Sequence, residues 1–285
     1  MHNEKMTSTN GKVLTNPSGE LILFRMRRRW LIVLLLGVLI FMVLDLAMRS
    51  SGATSLLPAL LIVGAFTVPI SLVVFFYEHI RDRDISKPLL AICFGIGGAL
   101  GLAAAGFIEF NTLRTLNIGA LVAVGFIEES SKLIFPVLMY ILWRDRHEAD
   151  GLLFGVAAGM GFAALETIGY GLLAFMQSQG SLGSVEQTLL LRGLLSPAGH
   201  VAWTGLVCAV LWRERQNAGH ALINASVIAA FLLAVALHTA WDVVNTVNMP
   251  APVVYGGMAL IALSSLSLLL LRYREARRNL PPAAV

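Results

Sequence analysis

Eight long apolar runs, almost free of charge, divide this chain and limit what it can fold into. They run from Trp30 to Met48, Leu56 to Tyr77, Leu89 to Phe110, Leu116 to Trp143, Gly151 to Met176, Leu194 to Trp212, Ala221 to Asn245 and Val253 to Leu271. Each can cross about 30 Å of hydrocarbon at 1.5 Å per residue. Only 13% of residues are charged, against about 25% in an ordinary soluble domain. The expected fold class is therefore all-α, a polytopic transmembrane helical bundle of about eight spans. Pro69 predicts a kink in the second span.

Lys and Arg placement predicts the orientation. Seventeen of the 21 basic residues fall on one side of such a bundle: Lys5, Lys12, the Arg25–Arg29 group, Arg81, Arg83, Lys87, Arg144, Arg146, Arg213, Arg215 and the cluster from Arg272 to Arg278. Only Arg49, Arg114 and Arg192 fall on the other, and Lys132 lies inside a span. The positive-inside rule then puts both termini in the cytoplasm. Because the basic residues mark span ends and not one folded face, the net charge of +4 does not imply a nucleic-acid partner. Cys93 and Cys208 sit singly in apolar runs and suggest no disulfide or thiolate site. Residues 1–24 are polar and read as a disordered cytoplasmic lead-in, 25–275 as the membrane domain with its core at about 115–246, and 276–285 as a cytoplasmic tail. The first apolar run comes too late for a signal peptide. The stretch from Gln177 to Arg192 reads as the longest external loop.

Small residues mark packing faces. Gly151, Gly155 and Gly159 recur every four positions, and Gly95, Gly98 and Gly101 lie close together. Such spacing lets helix backbones approach in lipid, where no hydrophobic effect drives association.

Ionisable residues within the spans are the informative exceptions, because each costs a few kcal/mol or more at mid-bilayer. The fourth span carries Glu128, Glu129 and Lys132, the fifth Glu166, the sixth His200, and the seventh His238 and Asp242. Measured from the basic ends at the helical rise, Glu128 lies about 22 Å deep, Glu166 about 24 Å, His200 about 20 Å and His238 about 26 Å. Four helices thus place ionisable groups at one level, past the midplane. A lone Glu–Lys pair is often structural, and a lone His is more often a satisfied core residue than a ligand. Chance placements would scatter in depth. Asp45 and Glu109 lie near span ends and receive no role.

Such a set can hydrolyse: a carboxylate activates water, while His or a metal stabilises the oxyanion. Two Glu and two His also make a plausible Zn²⁺ set with an open position. HExxH is missing, which excludes the common zincin arrangement. A proton- or cation-coupled transporter is the alternative, though no repeated halves are evident. A third is a catalytically silent protein that binds membrane partners.

Four motifs carry a resemblance: GFIEESSK, GLLFGVAAGMGFAALETIGYG, RGLLSPAGHVAWTG and LHTAWD. Together they present EExxK, FxxxE, an isolated His after Pro, and HxxxD, in order on successive spans. The chain resembles the PrsW family of intramembrane proteases, within a wider group that includes the CAAX-processing and bacteriocin-processing membrane proteases. The resemblance covers about residues 125–245. It implies that Glu128 or Glu129 activates the water and that Glu166 sits opposite. It further implies that His200 and His238 complete the site as oxyanion stabilisers or metal ligands, with Lys132 and Asp242 supporting. A metal would draw on Glu129, Glu166, His200 and His238, with Zn²⁺ the expected ion. Members of the family are commonly called metalloproteases, whereas the related CAAX proteases are described as glutamate-dependent. The implied partner is a membrane-anchored protein of the anti-sigma-factor kind, cut near the external face of the cell membrane. Thr167 stands where the family often has Asn, and Asp242 where relatives often have Asn.

Overall fold

The computed structural model describes residues 14–15, 21–22, 28–80, 85–113, 117–142 and 147–278. Helices dominate it: α1 (Arg29–Ser51), α2 (Leu57–His79), α3 (Lys87–Ile92), α4 (Gly98–Thr112), α5 (Ile118–Lys132), α6 (Ile134–Leu142), α7 (Glu148–Gln177), α8 (Leu182–Leu195), α9 (His200–Ala218), α10 (Ala225–Thr246) and α11 (Ala251–Arg278). Most of the expected N-terminal lead-in lies outside the described residues; within it, Leu14–Thr15 pairs antiparallel with Leu21–Ile22.

Among the described residues, seven helical stretches are long and apolar enough to cross a membrane. α1 shows why only lipid suits them. It is apolar all round yet barely covered by protein, with Leu35, Met42, Val43 and Leu46 all more than half exposed. A helix apolar on every face must be buried, and here the bilayer has to do the burying. The chain is thus a multi-pass helical membrane protein.

Two sequence expectations are revised. The fourth run is not one helix but α5 and α6, broken at Leu133. Pro136 causes this: it has no N–H for the Lys132 carbonyl four residues back, and its ring crowds that oxygen. Leu133 N–H turns instead to Ser130 O at 3.2 Å. The expected external loop at 177–192 is largely α8. It runs into α9 through a single 3₁₀ turn, Ser196–Ala198, at Pro197. α11 continues to Arg278, and residues 279–285 of the expected tail lie outside the described residues. Pro69, by contrast, lies within a continuous α2.

α7 is the central helix, buried from Glu148 through Ala164. Its glycine stripe explains how. A Cβ at Gly151 would come 2.5 Å from Cys208 O, one at Gly155 2.6 Å from Thr204 O, and one at Gly159 2.7 Å from His200 O. α9 therefore lies antiparallel along α7 with the two backbones in contact. Gly161 meets the backbone of Phe94 and Gly98, where a π-helical turn (Cys93–Gly97) joins α3 to α4. Gly155→Ala should destabilise the bundle by about 1–3 kcal/mol, because backbone atoms cannot step aside. Gly169→Ala, with open space at its Cβ position, should be tolerated. Thermal unfolding in detergent compares the two, and equal melting temperatures would refute the close approach.

Candidate active site

The site assembles where α5, α7, α9 and α10 meet. α5 starts at Asn117, whose side chain caps Ala120 N at 2.8 Å, and it ends at the Pro136 break. Glu128, Glu129 and Lys132 occupy its last turn and a half. Gly125, one turn earlier, lets α10 approach: a Cβ there would lie 2.7 Å from Thr239 Oγ1. That approach brings Glu129 against His238. α10 is capped by Asn224, which accepts from Ser226 N and Val227 N. His200 is the first residue of α9, placed there by the break at Pro197.

Lys132 is the hub. Its Nζ lies 2.9 Å from Glu128 Oε2, 2.8 Å from Glu129 Oε1 and 2.7 Å from His200 Nδ1, and it sits 4.3 Å from the centre of the Phe162 ring. No part of the residue is exposed. An ammonium has three protons and no acceptor. All three find partners here, so His200 Nδ1 accepts and the ring's remaining proton is on Nε2. Nε2 faces Glu166 Oε2 at 2.9 Å. Glu166 Oε2 also accepts from Arg192 at 2.6 Å.

His238 is fixed from two sides. Its Nδ1–H donates to Glu129 Oε1 at 2.8 Å. Trp203 stacks on its ring with centroids 4.8 Å apart and 24° between planes, and Trp203 Nε1–H donates to buried Ser265 Oγ at 2.9 Å. His238 Nε2 is left pointing at Glu128 Oε2 and Asp242 Oδ2, each 3.5 Å away. The two imidazole rings lie 5.3 Å apart.

Every residue singled out in the sequence therefore belongs to one cluster. The grouping within it differs from the expected metal set. Glu128, His200 and His238 offer ligand atoms all within 4.8 Å of one another. Glu129 is not one of that group: its Oε1 is shared by Lys132 and His238, and its Oε2 is buried with no hydrogen-bond partner. The Glu129 side chain is 1% exposed, against 10% for Glu128 and 15% for both Glu166 and His200. Exposure thus separates two neighbouring glutamates that the sequence could not tell apart.

Two participants were missed. Arg192 was counted among external loop charges, yet α8 carries it inward to Glu166. Trp203 lies one turn after His200, a spacing that could have suggested a shared face.

No curated protein and no solved structure matches the chain significantly. A family profile described as PrsW family intramembrane metalloprotease matches residues 55–269, from the turn before α2 to the middle of α11, and so takes in all four helices that build the cluster. With most of its length matched and an acid–histidine cluster inside its spans, the chain belongs to the PrsW family of intramembrane metalloproteases.

Proposed function

We propose that this protein is an endopeptidase that cuts a membrane-anchored protein within or beside its span, on the non-cytoplasmic side, using water activated between Glu128, Glu166, His200 and His238. The observation that carries this reading is the convergence of Glu128, His200 and His238 within 4.8 Å at one level of the bundle. The depth of the cluster and the charge bias of the loops support cutting on the external side, with both termini cytoplasmic. A regulator of the anti-sigma-factor kind is the expected substrate class.

The donor set fits a divalent ion. Two imidazoles and one carboxylate form a common catalytic zinc set that leaves a position open. When bound, such an ion supplies Lewis-acid polarisation and a more acidic water. Glu128, His200 and His238 would hold it, His200 through the Nδ1 lone pair that Lys132 occupies here, with its Nε2–H staying on Glu166. Glu129 orients His238 and leaves its Nε2 lone pair free, as carboxylates behind ligating histidines do. Glu166, at the open edge, acts as the base. The water oxygen adds to the scissile carbonyl carbon while its proton passes to the Glu166 carboxylate. The C–N bond then breaks as Glu166 returns that proton to the departing amine.

One observation favours a second, metal-free reading. The Lys132 ammonium already supplies a positive charge 2.9 Å from Glu128. In that case Glu128 is the base, and His238, doubly protonated, presents Nε2–H to the oxyanion.

Elemental analysis of the purified protein separates the readings. The metal reading expects stoichiometric divalent ion in the parent, its loss in His238→Ala, and inhibition by chelator that added Zn²⁺ reverses. Full cleavage of a membrane substrate by a metal-free sample would sink it.

A further inference from the structure

We propose that Arg192 is a positioning residue that locks the Glu166 carboxylate onto His200; this rests on the protease reading above. Arg192 makes three contacts, all to one face of α7. A terminal guanidinium nitrogen donates to Glu166 Oε2 at 2.6 Å, and Nε donates to Thr167 Oγ1 at 3.0 Å. The guanidinium carbon lies 4.1 Å from the centre of the Tyr170 ring. Residues 166, 167 and 170 are neighbours on a helix surface, so the planar fork spans one patch of α7 and can take up only one orientation on it.

The lock acts on catalysis through a single atom. Glu166 Oε2 accepts from both Arg192 and His200 Nε2, so the position of the guanidinium sets where that oxygen meets the imidazole. Charge balance agrees. Lys132 is shared by Glu128 and Glu129, and Arg192 is the cation paired with Glu166. The delivery is rigid. α8 packs on α7 with Leu189 against Gly171, where a Cβ would lie 3.4 Å from Leu189 Cδ2. Between Arg192 and His200 lie the last three residues of α8, the Ser196–Ala198 turn and Gly199. The break that frees His200 from α8 therefore also sets the spacing between the imidazole and the residue that holds its carboxylate partner.

A residue that merely fastens α8 to α7 would affect folding alone. Arg192→Lys keeps the charge but cannot hold Glu166, Thr167 and Tyr170 together. Arg192→Gln removes the charge as well. The test uses the full chain in phosphatidylcholine–phosphatidylglycerol vesicles. Single-span peptides carrying a fluorophore and a quencher on opposite sides of the span serve as probe, with the parent and Glu128→Gln run alongside. Arg192→Lys should lower kcat by roughly 10- to 100-fold, the effect of misplacing a catalytic group by about an ångström, with KM nearly unchanged. In parallel, ¹⁵N-histidine spectra should show the His200 ring resonances displaced in Arg192→Lys and left in place in Thr167→Val, which keeps the Glu166 contact.

Unmoved His200 resonances in folded Arg192→Lys and Arg192→Gln would overturn the positioning role, whatever the peptides report. A fall in melting temperature with parental kcat would do the same. If the parent matched Glu128→Gln in cleaving nothing, the protease reading would lose its support on this probe, and the spectra would still decide the role of Arg192.

Discussion

Glu128→Gln should lower cleavage of a membrane substrate by about 10²- to 10⁴-fold, the usual worth of a catalytic acid or base. Gln keeps the shape of the side chain and removes its charge and its capacity to take a proton. Both readings of the chemistry predict this loss, because Glu128 is either the base or the single carboxylate in the ligand trio. Glu129→Gln provides the contrast. Its side chain is closed off and serves Lys132 and His238, so its removal should act through the orientation of His238 and cost less activity and more stability. Cleavage and melting temperature measured on the two variants should rank them in opposite orders. A Glu128→Gln protein that cleaves at the parental rate would end its assignment to the reacting centre. A Glu129→Gln protein more crippled than Glu128→Gln, at unchanged stability, would reverse the division of labour between the pair.

Lys132→Met should destabilise the folded protein by about 3–5 kcal/mol, the cost of breaking a buried ion pair from one side. Lys132 is wholly enclosed, and its three protons are shared among Glu128, Glu129 and His200. Met fills a similar volume and leaves two buried carboxylates facing each other without a cation. Coupling gives the sharper test. In Glu128→Gln/Glu129→Gln/Lys132→Met the charges disappear together, and most of the lost stability should return while activity stays absent. Chemical unfolding in a fixed detergent measures both. A Lys132→Met protein as stable as the parent would show that the ammonium is not what holds the cluster together.

These two predictions show where sequence reading reached and where it stopped. Glu128, Glu129 and Lys132 can be paired from spacing alone, because residues three and four apart share a helix face. His238 and Asp242 are likewise four apart, yet they end 3.5 Å from each other, and the closer partner of His238 is Glu129 on a different helix. Local spacing ranks contacts within one helix and says nothing of what a second helix brings. The Pro136 break is a similar case. Its cause is written in the sequence, but long apolar runs conceal helix ends, since hydropathy measures fitness for lipid and is indifferent to a missing N–H. α8 was missed for the opposite reason. Its polar residues read as a loop, although Arg192 and Glu186 both satisfy their charge against other helices.

The opening feature, long apolar runs interrupted by a few ionisable groups, determined a great deal. Hydrocarbon tolerates neither free backbone polar groups nor unpaired charge, so apolar length implied helical spans, and a charge within a span implied a partner. Helical rise then placed Glu128, Glu166, His200 and His238 at one depth, and their order matched the family. The tertiary structure alone decided which carboxylate is the more exposed, which histidine nitrogen is left without a close partner, and that Arg192 contacts Glu166. Those outcomes depend on the rotation and contact of helices about one another. That is set by glycine-sized gaps such as Gly125 against Thr239 and Gly159 against His200, and no one-dimensional pattern specifies which helix will occupy a gap.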